Sequence, residues 1–535
     1  MKQFFKYVLA TSIGIFLFLF ILLLIGGGVG LAGMIKSKLD MGFKKEAILV
    51  MDFKTILPEK TNNLERPPFS FNDKKVVGIH AVLEILEDAA DNDKIKGLYI
   101  KTNSMPTAFY SNARLLRQGI EQFKESGKFV YAYGDYFTQG GYYLASAADS
   151  IFLNPIGGID LRGLGAELLY FKDMLDKIGV EPKVFYAGKF KSATEPFRRN
   201  DMSEENRVQT RAFLEDVQER LITDIAESRN LTQERLLEII NNFESRRAYL
   251  ALNAGLIDGA WHKEDLLEVF KNRMEVDEYD DIEYINFSSY YNKMDREDED
   301  SDDEIAVVIA EGSIVDNSDE NGVIDGDRYA GIIRKIRQDE DIDAIVLRVN
   351  SGGGSVLASD KIYHEIEMAK EAGKKIVVSM GDFAASGGYY ISCNADSIFA
   401  QENTITGSIG VFGLFFNAEE LFNEKLGIHA DTVKTTRFSA LGQAVMPLDE
   451  DYADIIQEFI DTTYHDFKSK VAKGRNMSLE EVEAIAQGRV WTGQKGLELG
   501  LVDKIGDLDD AIASAAAIAE LDSYKLKYYP KIKDP

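Results

Sequence analysis

Ser386 sits in the stretch "GDFAASGGYYISCNADSIF", which begins at Gly381, with Ala384, Ala385, Gly387 and Gly388 around it. Small neighbours let the backbone turn sharply and leave a hydroxyl accessible. That is the physical logic of a nucleophile elbow, although the pattern here is A-x-S-x-G rather than G-x-S-x-G. The N–H of Gly387 would point with a following helix toward any anion formed beside the serine. A serine in that place could also do no more than cap the helix. The second element is "VNSGGGSV", from Val349 to Val356, whose three glycines leave backbone N–H groups able to donate to a developing oxyanion. The same triplet would equally suit a tight turn with positive φ.

A nucleophilic serine needs a base, and no histidine lies within twenty residues of Ser386. "GKFKSATEPF", from Gly188, offers Lys189 and Lys191 instead. A lysine acts as a base only when its ordinary pKa of ~10.4 falls by several units, which burial in an apolar interface achieves. Residue physics leaves the choice between the two lysines open.

Serine and lysine belong to two copies of one unit. "GDYFTQGGYYLASAADSIF", from Gly134, matches the Ser386 stretch at eleven of nineteen positions, with Gln139 where the later copy has Ser386. "IKGLYIKTNS" ending at Ser104 and "IDAIVLRVNS" ending at Ser351 keep the same spacing, 36 residues from Asn103 to Gln139 and from Asn350 to Ser386. "NAGLIDG" ending at Gly259 and "ELGLVDK" ending at Lys504 extend the repeat downstream. Aligning "KIGV" at Gly179 with "KLGI" at Gly427 sets Lys191 opposite Ser439. One copy thus carries the lysine without the serine and the other the serine without the lysine, so the two are expected to divide one active site.

In each copy short apolar runs alternate with helical periodicity. "EIAVVIAEG", "DAIVLRV" and "KIVVSMG" read as strands, and "SDKIYHEIEMAKEAG" reads as a helix ending at Gly373. Such alternation predicts crossover units and a largely parallel sheet covered by helices, an α/β fold. "YADIIQEFIDTTYHDFKSKVAKG" predicts a long amphipathic helix with a glycine just past its end, suited to packing between domains. The expected organisation is a membrane anchor over 1–45, a first α/β repeat over 46–293 that supplies the lysine, an acidic linker over 294–304, and a second repeat over 305–535 that supplies the serine. The anchor rests on "VLATSIGIFLFLFILLLI" from Val8 to Ile25, longer than the apolar core of a cleaved leader and long enough to span a bilayer. Lys36, Lys38, Lys44 and Lys45 after the span outnumber Lys2 and Lys6 before it, but long domains cross largely regardless of such charges. A net charge of −28 excludes a nucleic-acid partner, which needs clustered Lys and Arg. One cysteine, Cys393, excludes an internal disulfide, and the five histidines lack metal-ligand spacing.

Together, "NSGGGSV", "AASGGYY", "FKSATEPF" and "GRVWTGQKGLELGLVDKIG", spread along a duplicated chain, resemble the signal peptide peptidase A family of membrane-bound serine proteases, also called protease IV. The resemblance implies tandem crotonase-like and Clp-protease-like α/β domains and a Ser–Lys dyad without metal or cofactor. It implies hydrolysis of hydrophobic peptides, including signal peptides left after export. Carried onto this chain, it makes Ser386 the nucleophile, Lys191 the general base, and Gly353 and Gly387 the oxyanion donors. The family loop reads N-S-P-G-G; here Gly352 replaces the proline, which loosens the turn and leaves Gly354 open beside Gly353. Asp382 stands where a small residue is common, so a more acidic rim is expected. Tyr389, Tyr390 and Phe412 are candidates for a hydrophobic groove or for the core. The resemblance further implies a homo-oligomer such as a tetramer, anchored by one pass in a bacterial inner (cytoplasmic) membrane with the catalytic domains in the periplasm.

Three rival readings differ in what they require. An acyl-CoA-processing crotonase relative sits poorly with the acidic balance and the anchor. A Ser–His–Asp protease lacks a nearby histidine. A scaffold of two degenerate copies requires Ser386 and Lys191 to lie far apart.

Overall fold

The computed structural model describes residues 45–63, 76–294, 301–439 and 444–531. The run expected to cross a membrane lies outside the described residues, as do residues 295–300 of the acidic linker. Among the described residues no helix is long and apolar enough to cross a membrane.

Apolar runs without polar alternation are what a strand needs when helices cover both sheet faces, and both copies use them so. In the first copy β1 (Ala47–Met51), β2 (Ile95–Ile100), β3 (Phe129–Gly134) and β4 (Ser150–Leu153) join a sheet that β5 (Glu181–Ala187) leaves and β6 (Gly259–Ala260) and β7 (Tyr284–Asn286) complete. Its order is β7-β1-β2-β3-β4-β6, every neighbouring pair parallel. The second copy contributes β8 (Glu304–Glu311), β9 (Ile342–Ser351), β10 (Lys375–Ala385), β11 (Ser397–Ala400), β12 (Ile405–Gly407), β13 (Val411–Asn417), β14 (Val490–Thr492), β15 (Lys504–Ile505) and β16 (Lys525–Tyr529). The order β16-β8-β9-β10-β11-β15 reproduces the first sheet. Beyond it, β12 extends the end of β10 and pairs with antiparallel β14.

The helices that position the site are α1 (Ile79–Asp91), α2 (Tyr110–Glu125), α3 (Gln139–Ala145) and α4 (Glu204–Ser228) in the first copy. In the second they are α5 (Val356–Glu371), α6 (Gly387–Tyr390), α7 (Glu450–Arg475) and α8 (Leu508–Ala519). Helix α2 buries Ala113, Leu116, Ile120 and Phe123, three and four residues apart, against the first core. Helix α8 does the same for one face of the second sheet through Leu508, Ala511, Ile512 and Ala515.

The copies interlock rather than hang from a linker. β5 pairs antiparallel with β13, from Glu181 opposite Asn417 to Ala187 opposite Val411. Helix α7, expected to pack between domains, lies against both of these strands and buries Ile460, Tyr464, Phe467 and Val471. Its expected terminal glycine plays another part. Asn476 supplies the left-handed cap at φ 52°, and a Cβ on Gly474 would stand 2.2 Å from the Cys393 carbonyl oxygen. Gly474 therefore admits a close approach, and asparagine, which tolerates that conformation, ends the helix.

A charged pair is sealed between the copies. Arg348 Nε donates to Glu59 Oε2 at 3.0 Å with both side chains fully buried, and His80 Nε2 lies 2.9 Å from the same oxygen. Asn112 and Asn350 donate to the other oxygen at 2.7 and 2.9 Å. Burial alone would raise the Glu59 carboxyl, but Arg348 and His80 hold it well below the usual carboxylate range. Removing one member strands the other in a dry interface. Arg348→Met should therefore cost about 3–5 kcal/mol in a denaturant melt, and adding Glu59→Gln should recover much of that loss. A single Arg348→Met variant as stable as the parent would show that the pair does not join the copies.

Candidate active site

The end of β10 turns into α6 at Ser386, whose φ of 55° and ψ of −119° place a non-glycine residue in sparsely populated backbone space. Strain of this kind persists only where the surroundings impose it. Here Ser386 N–H donates to Gly407 O of β12 at 2.9 Å, and Gly353 presses on the turn from the glycine loop. A Cβ on Gly353 would lie 2.6 Å from Gly387 N and 2.8 Å from Ser386 Cβ, so only glycine fits. The Ser386 side chain makes no capping bond to α6, which sets aside the simple helix-cap role.

Lys191 arrives from the first copy on the loop after β5. Phe190 N–H donates to Gln487 O at 2.8 Å, and Gly488 lies so close that a Cβ there would be 2.6 Å from Lys191 Cβ. The second copy thus clamps the loop, and Lys191 Nζ reaches Ser386 Oγ at 3.0 Å within the same chain. Nζ also donates to Ser408 O at 2.9 Å and Ser408 Oγ at 3.0 Å. Among the described residues no carboxylate pairs with it, and burial pushes its pKa down to about 7. Lys189 is exposed, its ammonium 5.3 Å from the centre of the Phe190 ring. The separation that a non-catalytic scaffold requires is not found.

A cavity of about 560 Å³ opens beside this pair, lined by Phe190, Val356, Val411, Phe412 and Val490 as well as the glycine loop. Phe412 faces it, whereas Tyr389 and Tyr390 belong to the core, their hydroxyls donating to Leu501 O at 3.0 Å and Asp360 Oδ1 at 2.8 Å. Gly353 N–H is engaged with Ser351 Oγ at 3.1 Å, while the N–H groups of Gly354 and Gly387 have no acceptor among the described residues. Asp382 does not acidify the rim. It is fully buried at the interface between copies, and burial pushes its carboxyl up to about 7. Among the described residues no His, Cys, Asp and Glu cluster could hold a metal ion.

The profile of peptidase family S49 matches residues 122–277 and again 368–522, one match containing Lys191 and the other Ser386. The chain belongs to peptidase family S49. It is 40% identical to Protease 4 of Haemophilus influenzae over 81% of this chain and 72% of that one. It is 34% identical to Protease 4 of Salmonella typhi over 96% of this chain and 84% of that one. The chloroplastic serine protease SPPA of Arabidopsis thaliana is 30% identical over 81% of this chain and 64% of its own. The chain is accordingly a serine peptidase of the signal peptide peptidase A and protease IV type.

Within this S49 peptidase the two copies differ at the positions of Ser386, Lys191 and Ser408, whereas Gly387 corresponds to Gly140. Gln139 in the place of Ser386 accepts from the N–H groups of Arg162 and Gly163 at 3.1 and 2.8 Å and donates to Tyr110 Oη at 3.1 Å. Ser439, opposite Lys191 in the alignment, is exposed and donates to Thr436 O at 3.0 Å. Residue reading missed Ser408. The signal was available in the repeat, because the same register that pairs Ser386 with Gln139 pairs Ser408 with Leu161.

A lysine whose pKa falls from 10.5 to about 7 on folding carries the full penalty of a buried charge below pH 7. The penalty fades as pH rises from there toward 10.5, because the folded chain gives up the proton while the unfolded chain still holds it, and above 10.5 neither holds it. Lys191→Met should therefore raise the melting temperature most at or below pH 7, with the gain shrinking by pH 10. A gain independent of pH would mean that Lys191 titrates normally in the fold.

Proposed function

We propose that this S49 serine peptidase is an endopeptidase that cuts hydrophobic peptides, cleaved signal peptides among them, with Ser386 as nucleophile and Lys191 as general base. One observation carries the reading: a buried lysine with no carboxylate partner among the described residues lies 3.0 Å from a serine hydroxyl at the mouth of an apolar cavity. A lysine titrating near 7 is neutral often enough at physiological pH to accept a proton. As Ser386 Oγ attacks the peptide carbonyl, its proton passes to Lys191 Nζ, and the carbonyl oxygen becomes an anion. The N–H of Gly387 receives that anion together with one from the glycine loop. We take the loop donor to be Gly354 rather than Gly353, because Ser351 already holds the latter. Collapse of the tetrahedral species transfers the lysine proton to the leaving amine and leaves an acyl-enzyme. Water, deprotonated by the same lysine, then releases the acid. Ser408 holds Nζ toward Ser386 by accepting its other protons.

Substrate class follows from the lining. Val356, Val411 and Phe412 favour apolar side chains, and among the described residues lining the cavity Lys191 alone carries a charge-bearing side chain. The name of a putative signal peptide peptidase SppA of Enterococcus faecium, 40% identical over 34% of this chain, agrees with that class. The crotonase-like and Clp-like reading of each copy draws support from the repeated parallel crossovers. Assembly into a homo-oligomer such as a tetramer is supported by exposed Tyr186, Phe415 and Phe416 on the β5–β13 pair. A membrane anchor is supported by the apolar run from Val8 to Ile25, while the inner membrane and the periplasmic side of the catalytic copies rest on the family resemblance alone.

The test is cleavage of a fluorogenic leader-like peptide by the full-length chain in mild detergent. Ser386→Ala and Lys191→Ala should each lower turnover by about 10³-fold or more. Lys189→Ala should stay within about twofold. The parent's kcat/KM should climb with pH through about 7 and then level, as the lysine loses its proton. Turnover by Ser386→Ala at the parental rate would end the nucleophile assignment.

A further inference from the structure

The strand that carries the nucleophile is not regular. β9 and β10 run in register up to Val349 opposite Met380, and the next aligned pair is Ser351 opposite Ala384. One residue of β9, Asn350, therefore faces three of β10: Gly381, Asp382 and Phe383. The surplus forms a bulge that ends three residues before Ser386. Bulges of this sort re-aim the chain that follows them.

First-copy residues fill the bulge. Asp382, fully buried, accepts from Phe109 N–H at 2.9 Å and from Asn112 N–H at 2.8 Å. Those two N–H groups belong to the N-cap residue and first turn of α2, a helix whose own N-cap side chain forms no capping bond. An aspartate from one copy thus caps a helix of the other, supplying the acceptor that the helix end requires. On either side, Gly381 O accepts from Thr404 Oγ1 at 2.8 Å and Ser111 Oγ at 3.3 Å, and the Phe383 and Phe109 rings lie 5.6 Å apart. Asn350 closes the open side, its Oδ1 accepting from Phe383 N–H at 3.1 Å. The first copy has the same sequence position, Asp135, at the surface, where it accepts from Asn154 Nδ2 at 2.9 Å.

We propose that Asp382 is a positioning residue for the nucleophile, fixing the bulge of β10 on helix α2 so that the strand delivers Ser386 to Lys191. The inference rests on the Ser–Lys reading above. It assigns Asp382 no contact with substrate. Its work is geometric: the copy that supplies the lysine also sets where the serine strand ends. A misplacement of about 1 Å at a reacting pair is enough to cost on the order of a hundredfold in rate.

Kinetics of the full-length chain on the leader-like peptide, with melting curves on the same samples, provide the test. Asp382→Ala should lower kcat about tenfold or more with KM within about twofold. Asp382→Asn, which keeps one acceptor oxygen, should restore part of that loss. Glu402→Gln provides the comparison, because Glu402 Oε2 pairs with Arg114 across the same interface at 3.0 Å without entering the bulge. It should lower the melting temperature and leave kcat at the parental value. If the Asp382 variants follow Glu402→Gln, losing stability but not kcat, the positioning role is overturned. Should Asp382→Ala fail to fold, a folded Asp382→Asn protein with parental kcat overturns it equally. Ser386→Ala and Lys191→Ala run alongside. Turnover by either at the parental rate would sink the Ser–Lys reading itself, whereas their inactivity beside a folded Asp382→Ala of unimpaired kcat would sink only the positioning role.

Discussion

A buried lysine without a carboxylate is an unstable thing to build, and most of what surrounds Lys191 exists to keep it so. Water would restore its charge, and an acidic neighbour would hold that charge in place; either would remove the free pair of electrons on which a base depends. Lys191 is only 5% exposed, and among the described residues no carboxylate pairs with it. Serine oxygens surround Nζ instead: the two of Ser408 accept its protons and the Ser386 hydroxyl lies against its remaining position, none of them supplying a negative charge. Holding the side chain there requires the β5–β13 pairing and the clamp of residues 487 and 488 on the loop. Were that pairing to fray, the lysine would reach solvent and protonate. The position of Lys191 is therefore a property of the contact between copies and not of either copy alone.

The duplication makes the cost of the site visible by comparison within one chain. The second copy keeps a serine at positive φ, while Gln139, at the same place in the first, has no such conformation. There Thr138 caps the following helix, and the glutamine amide is satisfied by two backbone N–H groups and a tyrosine hydroxyl. Backbone strain has been retained only in the copy that carries the hydroxyl. Leu161, fully buried where the other copy has Ser408, repeats the contrast with a side chain. A polar group that holds a lysine is useless where no lysine comes, and a leucine packs better.

How much of this was legible in the sequence depended on whether local chemistry or a distant contact set the feature. Strands such as "EIAVVIAE" and the elbow around Ser386 were readable because burial on both faces and small residues at a turn leave marks in the residues themselves. The choice between Lys191 and Lys189 was not, since the two lie in one loop and differ only in which side the second copy buries. Gly353 and Gly354 were inseparable for a similar reason: a hydroxyl two residues back, Ser351, takes one N–H and leaves the other. Asp382 misled because an acidic residue near a catalytic serine suggests a rim, and only the helix end docked on it shows why the carboxyl can be inside. Gly474 looked like a helix terminus and serves a close approach to Cys393 instead.

These features share a direction. Each copy contributes what the other lacks not only in the dyad but in the framework behind it: Glu59 beneath Arg348, helix α2 over the bulge, β5 along β13. The first two contacts bear on the serine strand and its neighbour, the third on the lysine loop. A chain in which the copies have folded but not yet docked would thus leave Lys191 in solvent, and the strand leading to Ser386 would have an unfilled bulge with Asp382 left unpaired. On the proposed Ser–Lys mechanism such a chain would stay inert until its halves meet, because the same burial that joins them is what lowers the lysine's pKa. On that mechanism activity and assembly would follow from one desolvation event, the burial that docks the two copies.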